Sequence, residues 1–142
     1  MTSKPQVQPP PDMHLTLCWE PMPDPNAFPN YVLYLVNAGT GQPWTITIRS
    51  GMDASGDDAL TAIEAGWTRL GEVHPGGALV VEKDDAGVLD FVTWFKFVAQ
   101  CGTTRYAGEA AYGKGGPAGA RELDPLLGRV GSVAPITWTP KP

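Results

Sequence analysis

Tyr31-Val32-Leu33-Tyr34-Leu35-Val36-Asn37, then Ala38-Gly39-Thr40-Gly41-Gln42-Pro43, then Trp44-Thr45-Ile46-Thr47-Ile48-Arg49 is the stretch that decides the fold class. The first run is apolar on both faces and reads as a central strand. The third alternates cleanly, with Trp44, Ile46 and Ile48 on one side and Thr45, Thr47 and Arg49 on the other, the period of a half-buried strand. The Gly-rich residues between them predict a turn, and the pair reads as a hairpin.

The same grammar extends outward. Residues 13–19 alternate Leu15, Leu17 and Trp19 with His14, Thr16 and Cys18, which predicts another strand. Leu60, Ile63, Trp67 and Leu70 recur at helical spacing but Gly66 interrupts them, so a helical turn at 58–64 and a strand at 67–73 are expected. His74-Pro75-Gly76-Gly77 is a tight turn before a strand at 78–83, and Asp84-Asp85-Ala86-Gly87 reads as a hairpin connection. The longest strand signal is 88–100, with Leu89, Phe91, Thr93, Phe95 and Phe97 on one face and Trp94 and Lys96 on the other. Residues 102–119 hold six Gly and read as a flexible loop, 121–127 as one helical turn, and 136–138 as a last short strand. The expectation is all-β: one antiparallel β-sandwich of about seven to eight strands, immunoglobulin-like or jelly-roll-like, over 13–142, behind a disordered Pro-rich tail at 1–12.

Composition agrees. Gly 17 and Pro 15 make up nearly a quarter of the 142 residues, against roughly 12% in average usage. Both are the poorest helix formers, which excludes a bundle or coiled coil. Five Trp, four Tyr and four Phe supply a core, which argues against wholesale disorder.

Charge and motifs exclude more than they assign. Ten basic residues stand against fifteen acidic ones, a formal charge of −5, and no basic cluster would neutralise a row of phosphates, so no nucleic acid is expected as partner. The N-terminus lacks the apolar core of a secretory signal. The uncharged run 25–48 is broken by Pro and Gly, so no membrane span is expected. Cys18 and Cys101 have no C-x-x-C spacing and are expected reduced, in the cytoplasm. No G-x-S-x-G, H-E-x-x-H or Walker pattern occurs, so the chain reads as a non-enzyme with no catalytic residues and no cofactor. An enzyme would demand a pocket that brings His14 or His74 beside an acid.

Two local patterns point to binding. Residues 53–64 place Asp53, Ser55, Asp57 and Glu64 at ligand positions of a calcium loop, with Leu60 at its apolar position. Against this, Asp58 stands where that loop needs Gly, and a strand precedes it; a solvated acidic loop capping a helical turn is the plain alternative. Among the tryptophans, Trp19, Trp44 and Trp67 are in register with core residues, whereas Trp94 and Trp138 are candidates for exposure. Trp94, Lys96 and Trp138, with the 102–119 loop, are therefore the candidate contacts for a protein partner or a second copy of the chain. An exposed indole is equally a platform for a carbohydrate.

Leu15-Thr16-Leu17-Cys18-Trp19-Glu20-Pro21 followed by Tyr31-Val32-Leu33-Tyr34 resembles the second and third strands of a fibronectin type III domain, and His74-Pro75-Gly76-Gly77 is similar to that family's later Pro-Gly turn. Residues 31–100 also resemble a domain of unknown function found in bacterial MutS-like proteins that carry a small MutS-related domain. That resemblance rests on Tyr34-Leu35-Val36-Asn37, the turn from Leu70 to Pro75-Gly76, and the aromatic strand through 89–98. It implies a β-sandwich of bacterial origin with a protein-interaction role and no catalytic residues to carry over.

Overall fold

The computed structural model describes residues 9–20, 30–53, 62–64, 66–85, 92–112 and 121–141. Their strands are β1 (Met13–Trp19), β2 (Asn30–Asn37), β3 (Trp44–Asp53), β4 (Ala62–Glu64), β5 (Thr68–Val73), β6 (Ala78–Asp85), β7 (Val92–Cys101), β8 (Thr104–Tyr112), β9 (Arg121–Asp124), β10 (Arg129–Pro135) and β11 (Thr137–Pro140). They form two antiparallel sheets, one ordered β6-β2-β1-β10-β9 and one ordered β11-β8-β7-β3-β4 with β5 also on β3. This is the expected β-sandwich. No helix occurs among the described residues, and none of them forms a helix long and apolar enough to cross a membrane.

The core is the interdigitation of the two inner faces. Leu15, Leu17, Leu33 and Leu35 of the first sheet and Ile46, Phe95, Phe97 and Ala99 of the second are essentially inaccessible. Burying each large side chain is worth about 1.5–3 kcal/mol. Aromatic edges close the ends: Trp19 meets Tyr31 with ring centroids 5.9 Å apart at 77°, and Trp44 meets Tyr106 at 5.9 Å and 75°, the edge-to-face geometry that ring quadrupoles favour.

The connections differ from the sequence reading. β2 and β3 lie in different sheets, so residues 38–43 are a crossing between layers and not a hairpin turn. The same holds for β6 and β7. Alternation fixes which face a residue takes but is silent about which strand lies beside it. Asn37, 1% exposed, fastens the crossings. Its amide donates to the Val73 carbonyl, its Oδ1 accepts from Gly39 N–H, and its backbone exchanges bonds with Gly76 and Gly77. The turn at 74–77 has Pro75 first, Gly76 at φ +78 second, and Gly77 N–H bonded to His74 O at 2.8 Å, the chemistry of a type II turn.

Four strands were not expected. β4 occupies the end of the predicted helical turn, β9 replaces the predicted helical turn at 121–127, β10 follows it, and β8 occupies half of the predicted flexible loop. β8 pairs β7 from Cys101↔Thr104 to Thr93↔Tyr112. Gly102 at φ +60 opens their two-residue link, as a type II′ hairpin requires. The inward residues of β8 are Tyr106, Gly108 and Ala110, and Gly108 has no room for a side chain because Trp138 and Ile136 lie over it. A Cβ on Gly108 would fall 2.6 Å from the Trp138 ring. A strand that is flat for a neighbour's sake carries no hydrophobic signal of its own.

Of the expected tail, residues 1–8 lie outside the described residues; in 9–12, Pro11 is buried and the Asp12 carbonyl accepts from Ala38 N–H at 2.8 Å.

Candidate functional site

Among the described residues, the outer face of the second sheet is exposed at Lys96, Glu109 and Ala111 and, apart from Gly51, half-buried around them. Register aligns Arg49, Lys96 and Glu109 across β3, β7 and β8, and next to them Gly51, Trp94 and Ala111. Trp94 is thus flanked across the sheet by a glycine and an alanine, neither of which sets a side chain larger than a methyl beside its ring. Lys96 Nζ stands 5.4 Å from the ring centroid, within cation–π range. A shallow hollow of about 190 Å³ runs along Trp94, Lys96, Glu109 and Ala111. Lys96, Glu109 and Ala111 are exposed and Trp94 half-buried. Of the sequence candidates, Trp94 and Lys96 are therefore brought together. Trp138 is not with them: it sits on the inner face of β11, half-buried, 6.2 Å from Phe97 ring to ring. Trp67, expected in the core, is 47% exposed just before β5 begins.

The outer face of the first sheet is covered. β9, the 125–128 turn and the start of β10 fold over the outward residues of β1 and β2, leaving Thr16, Cys18 and Val36 with no accessible surface. Gly131 makes the closest approach: a Cβ there would lie 2.5 Å from Thr16 Cγ2 and 2.8 Å from the Leu17 carbonyl oxygen. Arg129 bonds Tyr34 Oη at 2.8 Å and reaches the Trp19 carbonyl and Glu20 Oε1, each at 3.4 Å.

Asp124 is the centre of this cover. It is 3% exposed and accepts four hydrogen bonds. Thr16 Oγ1 and His14 Nε2 reach Oδ2 at 2.9 and 3.0 Å; Leu126 N–H and Leu127 N–H reach Oδ1 at 3.0 and 3.3 Å. Burial alone would push the carboxyl up, but the bonds from His14, Thr16 and the two amides outweigh it and hold it below the usual value. The sequence alone named no acid as a neighbour of His14. The structure instead brings His14 beside an acid, at the wall of a pocket of about 300 Å³ formed by Ala38, Leu123, Asp124, Pro125, Leu126 and Val133. The signal that existed was Asp124-Pro125 with Gly128, the grammar of an Asx turn. What such a turn's carboxylate touches 110 residues away is invisible locally.

The other candidates are quickly placed. Cys18 has no accessible surface and burial pushes its thiol up, the environment of a structural cysteine, and Cys101 is a free, half-buried cysteine on the other sheet. His74 is at the surface, 3.1 Å from Glu72. Asp53 and Glu64 occupy paired strands, with Asp53↔Ala62 and Gly51↔Glu64 in register; Ser55 and Asp57 lie outside the described residues. Glu82 accepts from the Tyr31 hydroxyl at 3.1 Å. Burial pushes its carboxyl up, the Tyr31 bond opposes this, and Asp84 adds to it.

Comparison with protein-family models, with curated proteins and with solved structures finds no match in any of the three.

Proposed function

We propose that the chain is a non-catalytic binding module that engages a protein partner, or a second copy of itself, through the outer face of the second sheet. The observation that carries this reading is Trp94: a half-buried indole between Gly51 and Ala111, with Lys96 over its ring and Glu109 across from Lys96. Trp is enriched at interface centres because it offers a large rigid area at low entropic cost. The opposite charges beside it would fix orientation. The resemblance to the domain of bacterial MutS-like proteins points to the same role, and two free cysteines suit the cytoplasm.

The same open indole favours one second reading, a carbohydrate stacked on Trp94; calcium at 53–64 is its companion among small ligands. Sedimentation of the purified protein across a concentration series, together with cross-linking capture, tests the first. Trp94→Ala is expected to weaken association at least tenfold with the melting temperature unchanged, and an equal capture by the variant would sink the reading. A thermal-shift screen with sugars and calcium tests the second, since a ligand at about a hundred times its Kd adds about 2.7 kcal/mol.

A further inference from the structure

The His14–Asp124 pair and the pocket beside it carry an inference independent of Trp94. All four hydrogen bonds of the Asp124 carboxylate are donated by the protein itself, so its charge is not displayed to a ligand. Because the carboxylate accepts, His14 Nε2 must carry the proton, which leaves Nδ1 of the neutral ring as an acceptor. The orientation is held from behind: Thr16 is inaccessible and the Asx turn fixes Asp124, while His14 keeps 24% of its side chain exposed. Apart from this pair, every described residue lining the pocket is apolar: Ala38, Leu123, Pro125, Leu126 and Val133. Leu123 and Leu126 are 61% and 43% exposed, so apolar surface continues onto the rim. An apolar hollow whose wall includes one imidazole held in place by its partner has the usual form of a small-molecule site, where shape gives affinity and the polar group gives direction.

We propose that this pocket binds a small, largely apolar molecule that presents one hydroxyl donor, as a phenol does, to Nδ1 of His14.

The test is a titration of the ¹⁵N-labelled protein at mildly alkaline pH, with 4-methylphenol and with toluene as the isostere lacking the donor, read on the His14 ring nitrogens and the amides of 123–127. The expected result is a saturable shift with 4-methylphenol and an affinity for toluene about three- to tenfold lower, the factor one hydrogen bond of about 0.7–1.4 kcal/mol provides. Leu126→Asp, at an exposed rim position, should abolish binding with an unchanged melting temperature; Leu123→Asp repeats the test if that variant is less stable. His14→Phe should bind both probes alike. No saturable shift, equal affinity of the wild type for the two probes, or binding that survives both rim substitutions overturns the proposal. Trp94→Ala should leave every one of these results unchanged.

Discussion

The two outer faces of this sandwich have opposite fates. On the first sheet, β9 and β10 fold over β1 and β2 and bury a threonine, a cysteine and a carboxylate, each accommodated by close packing or hydrogen bonds. On the second, the described outward residues of β3, β7 and β8 other than Gly51 are half-buried or exposed, and the largest of them is Trp94. A residue of the covered face is held by partners far away in sequence; one of the open face is held by its own strand and its cross-strand neighbours. Substitutions on the covered face should therefore register in stability, and those on the open face in association.

Asp124→Ala should show the largest effect. It removes the acceptor of four donors, one of them the inaccessible Thr16 hydroxyl, and should cost about 3 kcal/mol in urea denaturation. A loss below about 1 kcal/mol would mean that apolar contacts alone hold the cover in place. Next comes Gly131→Ala, where a methyl must displace Thr16 Cγ2 and the Leu17 carbonyl, with an expected loss of about 2 kcal/mol.

A smaller effect separates a buried carboxylate, Asp124, from a half-buried one, Glu82, by pH. Asp124 is held below its unfolded value, so its contribution is fully present above the ordinary Asp range and is lost as pH falls through the folded value. Asp124→Asn should flatten that acid limb. Glu82 is raised, so the folded state binds its proton more tightly, and stability declines as pH rises from the ordinary Glu range through the folded value. Glu82→Gln, which can still accept from Tyr31, should raise the melting temperature at neutral pH and leave it unchanged in acid. Opposite slopes in these two variants would refute the assigned directions. The smallest stability change belongs to Trp94→Ala, under about 1 kcal/mol; a larger loss would place Trp94 with the structural residues and erase the contrast between the faces.

How much of this was legible in the chain depended on the residue. The faces of 13–19, 44–49 and 93–97 followed from side-chain alternation alone, and the burial of Leu15 and Leu17, of Ile46, and of Phe95 and Phe97 was read correctly. β8 and β10 were not legible, because apart from Tyr106 their inward positions are Gly108, Ala110, Ser132 and Ala134. Such residues are small because something large lies above them, or because another strand passes close, and neither cause is local. Of the candidate contacts, Trp94 and Lys96 were placed together by a two-residue spacing on one strand. Trp138 needed the tertiary fold, which turned it inward over Gly108.

The sequence by itself therefore determined the class: short strands, sheets with one apolar face, turns at Gly and Pro. It did so because period-two patterning is a property of neighbours along the chain. Only the tertiary structure decided that β2 and β3 belong to different layers, that the hairpin of β9 and β10 closes over β1, and that Asp124 meets His14. Those outcomes are set by which surfaces remain to be buried once the strands exist, and by donors and acceptors that find each other across 110 positions of sequence.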